Sequence, residues 1–324
     1  MQRFLQKLGL FALINSIIIL GFALVGYGRY TNYISTIDDK YKLVNQTTSR
    51  KILLVGGSNV AFGLSAAQIE KKTNIPTVNL ALHAGLSMTF ALEQAKAWAK
   101  PGDIVILSIE PSVFPGEEKS DRPSGDLLFN LAVTHPQYLG ILPSNYKLLL
   151  DKGHQGLGGM FLAGIKDSAT ILRGKAIADS VYSRENFNSH GDMDGHCGLE
   201  RKLAQTNFTG KPAYKDTWEV EHENRIEQIE SFAKELGDRN VAVYYSFAPI
   251  PETNWKASKK VANLVKNNLN KIKNLQVIDT PEKAVYSDDS FYDTDNHLNC
   301  KQRQRRTAKV VNKLDKLEAL GEFK

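Results

Sequence analysis

Two stretches of this chain carry residue types that can perform nucleophilic chemistry together. Ser58 follows a short apolar run, residues 52–55, across Gly56 and Gly57, and a helical pattern at 65–72 comes after it. Far downstream, His297 has Asp293 and Asp295 close by in sequence. A serine hydroxyl is a poor nucleophile until an imidazole takes its proton. That imidazole needs a carboxylate to set its tautomer and to stabilise its charged form. Ser58 as nucleophile, His297 as general base and an aspartate behind it would supply ester cleavage or acyl transfer. The acid is Asp295, spaced Asp-x-His, or alternatively Asp293. Without the upstream serine, the two aspartates read as solvated loop residues beside a helix cap.

The elements that must position these groups can be read from the hydrophobic pattern. Residues 52–55 form the kind of unbroken apolar run that a strand buried on both faces shows. The glycines after it permit a sharp turn that leaves a small side chain at the strand's carboxyl end, where open α/β sheets hold their ligands. A second apolar run at 77–82 closes on His83 and Gly85, a helix is expected over 87–100, and a third strand at 104–109 ends at Glu110. This β-α-β-α-β order predicts a parallel, doubly wound sheet. Helical faces at 218–236, 256–270 and 302–320 and strands at 241–247 and 276–278 continue the pattern.

Between the third and fourth strands, residues 112–215 are irregular and rich in glycine, asparagine and proline, with helical patches at 127–134 and 164–173. The polar segment 184–196 would lie above the strand ends as a lid or substrate-binding region. His190 and His196 read as loop residues, since no third ligand stands at metal-binding spacing. No metal and no cofactor is expected.

Composition narrows the setting. The chain has 324 residues, and its 41 basic against 35 acidic residues give a mild positive balance. No basic run interleaved with aromatics suggests a nucleic-acid face, and the cluster Arg303, Arg305 and Arg306 reads as a solvated helix face. Residues 8–27 are almost wholly apolar and follow Arg3 and Lys7. About 20 such residues span a hydrocarbon core, and the positive-inside tendency keeps the amino terminus cytoplasmic. A cleaved signal peptide is the competing reading, but the run exceeds an ordinary signal core and no A-x-A site follows. We therefore expect residues 1–30 to be a retained anchor, 31–50 a polar stalk, and 51–324 an exported α/β domain. Cys197 and Cys300 could pair in an oxidising compartment, but spacing alone does not bring two thiols together.

The order of blocks resembles the SGNH/GDSL hydrolase superfamily. Gly57-Ser58-Asn59 with Gly63 is similar to the first block, 79–85 to the second, and His297 before the final helix to the last. The resemblance implies a flavodoxin-like SGNH fold. It also implies an oxyanion hole built from the backbone N–H groups of Ser58 and Gly85. Its exported, anchored layout is similar to bacterial cell-envelope proteins that remove or transfer acyl groups on polysaccharides. The expected activity is thus an esterase or O-acyl(acetyl)transferase acting on an envelope polymer at the outer face of the cytoplasmic membrane, with room for a membrane acyl-transfer partner.

Three departures stand out. Gly57 occupies the place of the family's usual aspartate. Thr294 stands where the Asp-x-x-His acid would be, and Asp-x-His spacing, which also occurs among related envelope acetyltransferases, favours Asp295. The third strand ends at Glu110 rather than at an asparagine that would donate to the oxyanion, and a carboxylate there opposes negative charge. Asn59 and Glu110 are instead candidates for binding substrate. A non-catalytic, carbohydrate-binding accessory protein is the alternative.

Overall fold

The structure is a computed structural model and describes residues 1–114, 124–141, 146–175, 181–202, 208, 210–214 and 220–319. Helix α1 (Gln2–Gln46) opens the chain, followed by β1 (Ile52–Gly56), α2 (Ser58–Ala61), α3 (Ala66–Thr73), β2 (Thr77–Asn79), α4 (Met88–Trp98) and β3 (Ile104–Ser108). Next come α5 (Gly125–Thr134), α6 (Tyr146–Leu172), α7 (Val220–Asp238), β4 (Ala242–Tyr245) and β5 (Ile250–Pro251). Helix α8 (Glu252–Leu269), β6 (Gln276–Val277), β7 (Val285–Tyr286) and α9 (Cys300–Ala319) complete it. The chain divides into two compact units, residues 1–36 with 124–184, and residues 37–123 with 185–324.

In the first unit, Gln2–Tyr27 of α1 is long and apolar enough to cross a membrane, with a mean hydropathy of 2.5. At 1.5 Å per residue it measures about 39 Å, more than a hydrocarbon core of about 30 Å requires. Its large side chains, among them Phe4, Phe11, Ile17 and Leu24, are exposed. Leu128 and Leu131 of α5 are buried, and Gly156 of α6 lies directly beneath the Phe129 ring. The helical patch expected at 164–173 proves to be the end of a helix that begins at Tyr146.

The second unit is built on a five-stranded sheet in the order β2-β1-β3-β4-β6, parallel throughout. β1 and β3 are buried along their whole length, as their unbroken Ile, Leu and Val content requires of central parallel strands. The order reverses at β1, which has β2 on one side and β3 on the other. The crevice at such a reversal, beyond the carboxyl ends of the strands, is where open α/β sheets hold ligands. A small parallel pair, β5 with β7, had no signal in the sequence because each strand is two residues long.

The expected stalk at 31–50 is not one. Helix α1 continues to Gln46, and Ile37, Lys40, Tyr41 and Val44 are buried within the second unit. Tyr41 packs on Trp98 and bonds Gln94, while Lys40 Nζ donates to the carbonyls of Asn79 (2.8 Å) and Gly191 (2.6 Å). The polar composition of this stretch hid an i, i+3, i+4, i+7 stripe that meets β2, α4 and the segment at Gly191.

Segment 184–196 is likewise a structural insertion rather than a lid. Asp192 is fully buried and accepts from the amides of Ala66 and Ala67, capping α3, and from Asn79 Nδ2 at 3.0 Å. Arg303 holds the same segment through Met193 O (2.7 Å) and Asp194 (2.6 Å). Arg303 and Arg306 are buried, which corrects the expectation of a solvated face; of the three arginines only Arg305 is exposed. Cys197 and Cys300 form a disulfide that ties the insertion to the start of α9.

Candidate active site

Register brings the first two groups together. β1 and β3 pair Gly56 with Ser108, so two residues further on Ser58 and Glu110 leave the sheet side by side. Ser58 Oγ donates to Glu110 Oε1 at 3.0 Å, and the Asn59 amide donates to the same oxygen, also at 3.0 Å. Gly57 makes room for this carboxylate. A Cβ at that position would meet Glu110 Oε1 at 2.8 Å and the Ala84 backbone at 2.9 Å, so an aspartate there would force both to shift. Glu110 thus fills the space beside the serine that the absence of a side chain at Gly57 leaves open.

Burial pushes the Glu110 carboxyl above the ordinary carboxylate range. The Asn59 amide, the His297 imidazole and the Ser58 hydroxyl pull it down, and Asp295 adds to the upward push. Phe62, at the end of the short helix that Ser58 opens, stacks on His297 and brings the late loop against the turn after β1.

The loop itself holds His297 in one orientation. Its Nδ1 lies 2.7 Å from Asp293 Oδ1, and its ring stacks on Phe62 with centroids 4.0 Å apart and an interplanar angle of 5°. The backbone closes the turn by a bond from Tyr292 N to His297 O at 2.8 Å. With Nδ1–H given to a carboxylate, Nε2 is the basic nitrogen of the ring. The carboxylate at His297 is thus Asp293, which replaces Asp295 as the expected partner; Asp295 is exposed and accepts from Asn296 Nδ2 at 2.8 Å. In this compact turn, i and i+4 meet and i and i+2 diverge.

Two further expectations change. The Gly85 N–H, assigned to an oxyanion hole, donates to His83 Nδ1 at 2.9 Å. Asn59 is fully buried, with its side chain on Ser108 Oγ (3.2 Å), and Glu110 is 5% exposed, so neither presents a surface for substrate. Ser58 itself is 7% exposed. As the first residue of α2, its N–H has no partner within the helix.

Sequence reasoning missed Arg306. Its buried guanidinium reaches from α9 to Asn59 O (2.9 Å), Ser108 Oγ (2.8 Å) and Phe247 O (3.1 Å), fastening the turns after β1, β3 and β4. Three donors in a rigid fork suit that task. His196 lies in a loop as expected; it is buried there against Phe62 and Tyr292 and donates through Nε2 to Leu298 O at 3.1 Å. Burial and the nearby Arg303 lower its pKa to about 4, so it is neutral at physiological pH.

A cavity of about 440 Å³ lies elsewhere, between Phe247, Asp279, Tyr286, Arg306 and Lys309, and contains none of Ser58, Glu110, Asp293 or His297. No family model matches the chain, and no curated protein matches it.

Proposed function

We propose that this protein is a membrane-anchored serine ester hydrolase or O-acyltransferase with a doubly wound, SGNH-like domain, acting on an envelope polysaccharide at the extracytoplasmic face of a bacterial cytoplasmic membrane. What supports the reading is that Ser58 stands at the β1 end of the sheet's reversal, while His297, held by Asp293, stacks on Phe62 four residues after that serine. The β2-β1-β3-β4-β6 order and the apolar length of α1 add support.

In this mechanism Ser58 Oγ attacks the acyl carbonyl and its proton passes to His297 Nε2. The Ser58 amide and the Gly85 amide, once His83 releases it, hold the oxyanion. Collapse of the tetrahedral intermediate expels the alcohol, which takes the proton from His297. Water, or a sugar hydroxyl deprotonated by the same imidazole, then attacks the acyl-serine and restores the enzyme. For the first step the Ser58 hydroxyl must turn from Glu110 Oε1 towards the imidazole.

A second reading, a non-catalytic carbohydrate-binding protein, is favoured by one specific observation. The Ser58 hydroxyl and the Gly85 amide are both engaged internally, on Glu110 and His83. Covalent labelling by a fluorophosphonate separates the two. The enzyme labels at Ser58, cleaves aryl acetates, and loses both properties in Ser58→Ala, while His297→Ala loses at least about 10³-fold in turnover. An unlabelled wild type with no ester turnover leaves only the binding protein.

A further inference from the structure

The C-terminal half of helix α6 turns apolar side chains outward, after preceding turns that expose His154 and Gln155. Gly156, Met160, Gly164 and Asp167 form its packed face, at spacings of four, four and three residues. The opposite face carries Leu162, Ile165 and Leu172, exposed by 58%, 38% and 87%, with the small Ala169 between them. Leu157 and Ile171 are exposed as well, but lie towards the packed face rather than on this stripe. A solvated helix places its charged residues on that side. Here the exposed cations sit at the flank and the end, as Lys166, Arg173 and Lys175.

The place where α6 meets α1 says what covers this stripe. At Gly26 a Cβ would strike Met160 O and Gly164 N (2.5 Å), and at Gly164 a Cβ would strike Phe22 O. The two backbones therefore touch, as at small-residue crossings of membrane helices. Phe22 and Phe161 meet edge-on beside the crossing, with centroids 5.8 Å apart. The contact falls at residues 22–26, in the last turns of the apolar segment Gln2–Tyr27. If that segment spans, its final turns lie at the edge of the hydrocarbon core, and α6 is clamped at that level.

We propose that α6 is a second membrane element, lying at the bilayer surface with Leu162, Ile165 and Leu172 among the acyl chains and Lys166, Arg173 and Lys175 at the headgroups. It rests on α1 being the anchor and is independent of the chemistry at Ser58. The partner is a lipid surface, fixed by continuity with the apolar face of α1. Such a helix would hold the polypeptide against the membrane at two points rather than one.

The test is depth measurement on the full chain in phosphatidylglycerol–phosphatidylcholine vesicles. The native cysteines are both in the disulfide, so a nitroxide attaches only at an introduced one. Single cysteines are placed by Leu13→Cys, Leu162→Cys, Leu172→Cys and, as the aqueous reference, Lys260→Cys. The expected result is several-fold more collision with dissolved oxygen than with a water-soluble nickel chelate at 13, 162 and 172, and the reverse at 260. Oxygen preference at 13 with nickel preference at 162 and 172 overturns the proposal while leaving the anchor intact. Nickel preference at 13 overturns both.

Discussion

Glu110 Oε1 accepts the Ser58 hydroxyl and the Asn59 amide together, each at 3.0 Å. The candidate nucleophile is thus held by a buried carboxylate that arrives two residues after the adjacent strand, in the space a glycine at 57 leaves open. This relationship organises what should happen when the site is altered.

Replacing Glu110 by Gln keeps an oxygen that can accept both donors and removes the charge beside the developing oxyanion. Turnover by Glu110→Gln should equal or exceed wild type, by up to about tenfold, or about 1.4 kcal/mol. Because burial raises the Glu110 pKa, the wild-type rate should fall as pH rises through that titration and the Gln variant should lack this limb. Steady-state pH profiles of both proteins check it. A loss of about 10²-fold in the variant would instead make Glu110 the base that takes the serine proton.

The acid behind His297 is decided by the 2.7 Å contact to Asp293. Asp293→Asn should lower kcat by about 10³-fold or more, because the amide permits the wrong tautomer. Asp295→Asn, which alters an exposed side chain, should stay within about threefold. Side-by-side kinetics on one aryl ester settle the pair, and the opposite ranking would return the role to Asp295.

Arg306 serves three acceptors from a buried position. A lysine has one charged point and cannot reach all three, so Arg306→Lys should cost about 3 kcal/mol in unfolding free energy. Arg305→Lys, on the exposed side of the same helix, should change stability by less than about 0.5 kcal/mol. Denaturant unfolding of both variants makes the comparison.

Lys40 is buried, and burial lowers its pKa from 10.5 to about 7 against the opposing pull of Asp192 and Asp39. A neutral amine has two N–H groups, and two carbonyls, Asn79 O and Gly191 O, receive them. Between pH 7 and 10.5 the unfolded chain holds a proton that the folded one has released, so this group makes stability rise with pH across that window. Below pH 7 the cost of burying the charge is fully present. The stability of Lys40→Met relative to wild type should therefore decline from pH 7 to 10.5; a flat difference would mean that Lys40 does not titrate there.

Much of the core was legible from sequence because parallel central strands have a one-dimensional signature. Residues 52–55 and 104–107 are apolar at every position, since both faces of the strand are covered. Helices α4, α7, α8 and α9 showed their 3.6-residue stripes to within a few residues of their ends. Ser58 stood out because a strand closing on two glycines marks a turn by itself, and α1 because a run of apolar residues needs no partner to be recognised.

What the tertiary structure alone decided are the relations between distant residues. Register set Glu110 beside Ser58, and the fold of one short loop chose Asp293 over Asp295. The approach of the insertion to α9 joined Cys197 to Cys300, and packing buried Lys40, Arg303 and Arg306, whose charges read as solvent-facing. Local sequence reports the hydrophobicity and backbone preference of its own residues. Which polar group meets which depends on strand register and helix placement, and these are set by the free energy of the whole packed core.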